Sequence, residues 1–151
     1  MLSKWLIALL FGIVAMGLWI VIHPSYQKSF EARFSYAMGD YDKAFALAKE
    51  SFELDSYNRM ASTVMAQSQM ALKYVRYNEL ADKYNKEIRR IAAQKSVTPQ
   101  ERAKIKMMSQ IIVDSYKKNA STVVLDQELV DRARSNYEQF KMLNDELASP
   151  R

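Results

Sequence analysis

Few residues in this chain are able to carry proton transfer, metal binding or nucleophilic attack. Its 151 residues include one histidine, His23, and no cysteine. Without thiols there is no disulfide, no thiolate nucleophile and no cysteine metal site, a composition that fits an oxidising compartment without requiring one. His23 is the sole candidate general base near neutral pH. It stands beside Pro24 at the end of an apolar run, with no acid motif around it. Carboxylates occur in pairs at Asp40/Asp42 and Asp145/Glu146. The first pair belongs to a helix-starting turn and the second to a helix end, so neither is placed as an acid/base couple. There is no H-E-x-x-H and no phosphate loop. Asn119-Ala120-Ser121 fits the glycosylation sequon, a short match that chance supplies readily. These residues predict no enzyme, no cofactor, no metal and no small-molecule substrate.

The elements that carry these residues follow from turn chemistry. The chain has three glycines and three prolines, and Gly12 and Gly17 lie in the first apolar segment. A β-protein needs many tight turns built from Gly, Asn-Gly or Pro-Gly. This composition predicts an all-α protein.

Trp5–Ile22 reads WLIALLFGIVAMGLWIVI, eighteen uncharged residues. As a helix they extend roughly 27 Å, close to a hydrocarbon core. Trp5 and Trp19 stand near the two ends, where indoles favour the headgroup region. A signal peptide has a shorter apolar region and a small-residue cleavage site. Cutting after Ala15-Met16-Gly17 would leave LWIVI at the new terminus. Residues 1–23 therefore read as an uncleaved, single-pass signal anchor in lipid. Gly12, four residues after Ala8, has the small-xxx-small spacing that lets membrane helices approach. A short tail before a long domain places the amino terminus in the cytoplasm and the body, at an inner membrane, in the periplasm.

Apolar residues recur at helical spacing through the body. They mark Tyr41, Ala44, Phe45, Ala48 and Phe52; then Ala61, Val64, Met65, Ser68 and Leu72; then Tyr77, Leu80, Ala81, Tyr84, Ile88, Ile91 and Ala92. Thr98-Pro99-Gln100-Glu101 is a capping box with proline at the first helical position. The helix it starts carries Ile105, Met108, Ile111, Ile112 and Tyr116, with Lys117 and Lys118 suited to its carboxyl end. After a break at Asn119–Thr122, a last helix from about Asp126 carries Leu129, Ala133, Tyr137, Phe140, Leu143 and Leu147. Most of the nine methionines are expected to fill the core.

Tyr36–Asn58 reads YAMGDYDKAFALAKESFELDSYN. This stretch resembles the turn and second helix of the tetratricopeptide repeat. The resemblance implies a turn at Gly39-Asp40, Tyr41 packing back from the start of the second helix, and Ala44 where two helices come close. It also turns Phe52 and Leu54 toward a following repeat. The departures lie mainly in the first helix, where Lys28, Glu31, Ala32 and Ser35 replace the family's aromatic and Leu-Gly pattern. Ser51 replaces a usual alanine, and Ser56 a usual proline. Arg59–Ala93 has the length of a second repeat, with LKYVRYN at its turn, though that turn lacks glycine. The resulting organisation is 24–95 as repeat-like hairpins and 96–151 as a helical pair packing on them.

Charge is unevenly spread: Lys73–Lys118 carries a net +7, Asp40–Asp55 a net −3 and Asn119–Arg151 a net −2. Arg76, Lys83, Lys86 and Arg90 share one side of a helix and predict a basic face for an acidic partner or anionic headgroups. The basic helices lack a nucleic-acid reading motif, so no nucleic acid is expected. Family members typically present helical surfaces to other proteins, which implies a membrane-anchored, non-enzymatic interaction scaffold or adaptor. The alternative is a structural subunit of a multi-protein envelope complex, for secretion or motility, with a non-repeat helical fold.

Overall fold

With so little glycine or proline to interrupt it, the chain is helical wherever apolar residues repeat at three and four. The computed structural model describes residues 4–119 and 125–148, without the side chains of 18–22. Every described element is a helix: α1 Lys4–Ile22, α2 Pro24–Ala37, α3 Tyr41–Leu54, α4 Arg59–Ala92, α5 Pro99–Lys118 and α6 Gln127–Ala148. The fold is all-α. The chain divides into two units, Met1–Gln69 and Met70–Arg151.

In the first unit, α2 and α3 form an antiparallel hairpin. Gly39 turns it at φ +81°, the left-handed region that favours glycine. Asp40 then caps α3, its side chain accepting from the Lys43 amide at 3.2 Å. The hairpin's inner face is built from small residues, Ser25, Ser29, Ala32 and Ser35 on α2 and Ala44, Ala48 and Ser51 on α3, all buried. Ala32, Ala44 and Ala48 meet Val64 of α4, with Tyr36, Leu47, Met60 and Met65 packed around them. Small side chains at a helix contact let the axes come close.

The second unit gathers Tyr74, Tyr77, Ala81, Ile112, Val113, Ala133 and Phe140 into one core. Ile91, Ile105 and Met108 form a smaller one toward the far end of α4. Tyr116 stacks on Tyr137 at 4.5 Å and lies 5.9 Å from Tyr77. The α5 capping box is complete: Glu101 N–H donates to the Thr98 hydroxyl at 3.2 Å, and Thr98 N–H to the Glu101 carboxylate at 2.9 Å. Lys117 and Lys118 occupy the last turn of α5, as the dipole favours.

Three expectations are corrected. There is no turn at LKYVRYN; α4 runs through it as one helix of 34 residues. The segment holds neither glycine nor proline, so nothing stops a helix there. Ala92, placed on the apolar stripe, is exposed at the end of α4. Methionine is divided, with Met60, Met65 and Met70 packed against the cores beside Met108 and the rest of the described ones exposed. Met108 is buried at 3 % exposure, whereas Met16, Met38, Met107 and Met142 are 59–71 % exposed.

Among the described residues, no helix is long and apolar enough to cross a membrane. The eighteen-residue run expected to do so includes Leu18–Ile22, whose side chains, with that of Trp19, lie outside the described ones. Residues 120–124, with two of the three sequon positions and most of the break after Asn119, also lie outside the described residues.

Candidate partner-binding surface

The basic face expected on α4 is partly assembled and partly neutralised. Lys83, Lys86 and Arg90 line one groove of about 640 Å³, floored by Tyr84 and Met108 and joined by Lys104 of α5. Glu79, Asp82 and Glu87 line the same groove. Glu87 takes two guanidinium bonds from Arg90, both at 2.8 Å, and the Lys104 ammonium at 2.6 Å. Asp82 takes Arg132 of α6 at 2.6 Å. The hydrogen bonds from Arg90 and Lys104 lower the Glu87 carboxyl to about 2. Arg90 is therefore half of an ion pair and not a free cation. Among the described residues, Lys83 and Lys86 are the cations of this groove that make no ion pair. Arg76 stands apart, in a separate depression of about 270 Å³ with Lys73, Tyr77 and Ser115.

The residues named for the repeat turn lie as follows. Gly39 makes the turn, Tyr41 is 8 % exposed and Ala44 is fully buried between helices. Phe52 is half-buried, but Leu54 is 57 % exposed. On α1, Trp5 is 84 % exposed, and nothing approaches within 4 Å of where a Cβ on Gly12 would stand.

Three features escaped the residue patterns. The first is a polar knot in the first unit. Asn58, 1 % exposed, accepts the Ala61 amide at 3.1 Å through its carbonyl and so caps α4. Its amide nitrogen donates to Ser25 at 2.9 Å, Ser29 at 3.2 Å and Ser51 at 3.4 Å. The Ser51 hydroxyl donates to the Ser25 carbonyl at 2.6 Å. Ser51, which stands where the repeat pattern has alanine, joins Ser25 and Ser29 in this contact. Their spacing was a visible signal: polar residues small enough to bury, at four-residue intervals on an otherwise apolar face. The second is a buried amide pair in the other unit, where Asn136 donates to Asn78 at 3.0 Å and Asn78 to the Leu129 carbonyl at 3.2 Å. The third is an exposed stripe along α2 and its C-cap residue Met38, with Phe30 45 %, Phe34 68 % and Met38 71 % exposed. Their i, i+4, i+8 spacing is legible in the sequence.

What this surface offers chemically is association. The Lys83 and Lys86 ammonium groups line it beside Tyr84 and Met108, and of its three acids Asp82 and Glu87 have basic partners while Glu79 makes no ion pair among the described residues. Among the described residues no three His, Asp or Glu side chains gather as a metal ion requires. No family model, no curated protein and no solved structure matches the chain.

Proposed function

We propose that the chain is a membrane-anchored, non-enzymatic scaffold or adaptor that holds another protein at an inner membrane, with α1 as the anchor and the helical body in the periplasm. The observation that carries this reading is α1. Its apolar side chains are exposed all round: Leu6, Ile7, Leu9, Leu10, Phe11, Ile13, Val14 and Met16 are each more than half exposed. A helix apolar on every side belongs in a protein core or in lipid, and no core among the described residues encloses it. The sequence extends the same character to Ile22.

The α2–α3 hairpin, with Gly39 at its turn and Ala44 fully buried, supports a tetratricopeptide-like unit used for protein binding. The groove beside Lys83 and Lys86 is the proposed contact for an acidic partner. The test is purification of the full chain from membranes in mild detergent, with mass spectrometry of co-eluting proteins, beside a Lys83→Glu/Lys86→Glu variant. Arg90 is left in place because its reversal would also break the Glu87 network. A partner present with the native chain and depleted by the double reversal supports the reading. Co-eluting proteins unchanged by the reversal refute the groove's part in it.

The uninterrupted α4 favours the second reading, a non-repeat helical subunit of an envelope complex, since a regular second repeat would be interrupted by a turn. A few proteins in fixed stoichiometry would support that subunit. A heterogeneous set of clients would support the adaptor.

A further inference from the structure

We infer that the outer face of α2 is a membrane-surface face, seating Phe30, Phe34 and Met38 in the headgroup layer of anionic lipid; this rests on the reading of α1 as the anchor. The helix is divided cleanly in two. Ser25, Ser29, Ala32 and Ser35 face the hairpin and are buried. Phe30, Phe34 and Met38 project the other way, with about 12 Å of helix axis between the first and the last. Arg33 lies beside them, exposed and without an ion pair among the described residues.

The charges of α2 are arranged to suit such a surface. Its one carboxylate, Glu31, lies to the flank and faces Lys43 of α3 at 3.4 Å. Lys28 lies against the hairpin and holds Glu50 at 2.5 Å. The outer face is left with aromatic area, a methionine and one cation, and no anion. Aromatic rings at the acyl boundary with a basic group at phosphate level is the pattern of interfacial helices on anionic bilayers.

Position in the chain selects lipid over a protein partner for this face. Only His23 separates α2 from α1. His23 is extended at φ −109°, ψ 97°, and Pro24 follows at the first helical position, so the two helices are not one continuous rod. The exposed apolar surface of α1 therefore passes, within one residue, to a helix free to lie along the membrane plane.

The chain's lack of cysteine makes the test direct. Single-cysteine variants Ala8→Cys, Phe34→Cys, Met38→Cys and Glu53→Cys of the full chain are spin-labelled. They are reconstituted in vesicles of phosphatidylcholine with phosphatidylglycerol. Collision with oxygen, which concentrates in lipid, is compared with collision with a water-soluble nickel chelate. The inference predicts a deep label at Ala8→Cys, shallow labels at Phe34→Cys and Met38→Cys with several-fold less chelate collision than Glu53→Cys, and a weaker effect with phosphatidylcholine alone. A deep label at position 8 with positions 34 and 38 as chelate-accessible as position 53 would overturn the inference and leave the anchor standing. Labels at 34 and 38 shielded from oxygen and chelate alike would overturn it in favour of a protein contact. A water-accessible label at position 8 would refute the anchor itself, and the inference with it.

Discussion

The carboxamide of Asn58 joins three helices because its oxygen and nitrogen work in opposite directions, one capping α4 and the other donating to serines of α2 and α3. Replacing it removes a cap and strands buried hydroxyls together. Asn58→Ala should cost about 2–4 kcal/mol, combining a lost cap with unmet buried polar groups. Ser51→Ala should cost about 1 kcal/mol, because Asn58 keeps Ser25 and Ser29. Hydrogen exchange of α2 and α3 amides reads both; exchange unchanged in Asn58→Ala would mean that the knot does not hold the hairpin. Tyr77 makes the opposite case. Its hydroxyl is buried with no hydrogen-bond partner among the described residues. Burial, with Tyr116 and Tyr137 adding, pushes its ionisation well above the ordinary value of 10. A raised value means that this contribution to stability is full below pH 10 and falls as pH rises toward the folded-state value. Tyr77→Phe should be neutral or stabilising at pH 7 and should reduce the loss of stability above pH 10. Denaturant titrations at pH 7 and pH 10.5 check it; a marked loss at pH 7 would reveal a partner for the hydroxyl.

At the scale of elements, most of the helices could be read directly from residue patterns. The capping box set the start of α5 because Thr98 and Glu101 satisfy each other's donors, and the Tyr77–Ile91 stripe became the core of the second unit. Ile105, Met108 and Ile112 from α5, and Ala133 and Phe140 from α6, are buried where periodicity put them. A segment with the length of a helix pair is here a single helix. LKYVRYN carries no residue that ends a helix, and local chemistry outweighed the expected repeat. Lys73→Pro would supply the missing interruption, at an exposed position, for about 3 kcal/mol or more. Amides around the substitution should exchange rapidly. If they stay protected, α4 is not continuous through this segment in solution. The basic face was legible only in part, since spacing shows which charges share a side and not which of them are paired across helices. Lys104 and Arg132 come from α5 and α6, and they turn Glu87 and Asp82 from free acids into held partners. The knot around Asn58 was hidden for the same reason, because its bonds join residues 7 to 33 positions apart.

At the scale of the whole molecule, charge and apolar exposure are separated along the chain. Bare apolar surface is concentrated on α1 and the outer face of α2, and unpaired ammonium groups stand beside the groove of the second unit. The claim that α1 sits in lipid is tested most directly by sodium carbonate extraction of membranes carrying the full chain. A Leu10→Lys/Val14→Lys variant, with two charges in the middle of α1, is extracted in parallel. Each charge near a bilayer centre costs about 2.5–3.5 kcal/mol. The account predicts that the native chain stays in the membrane pellet and that the doubly charged variant is released. Release of the native chain into the carbonate wash would contradict it.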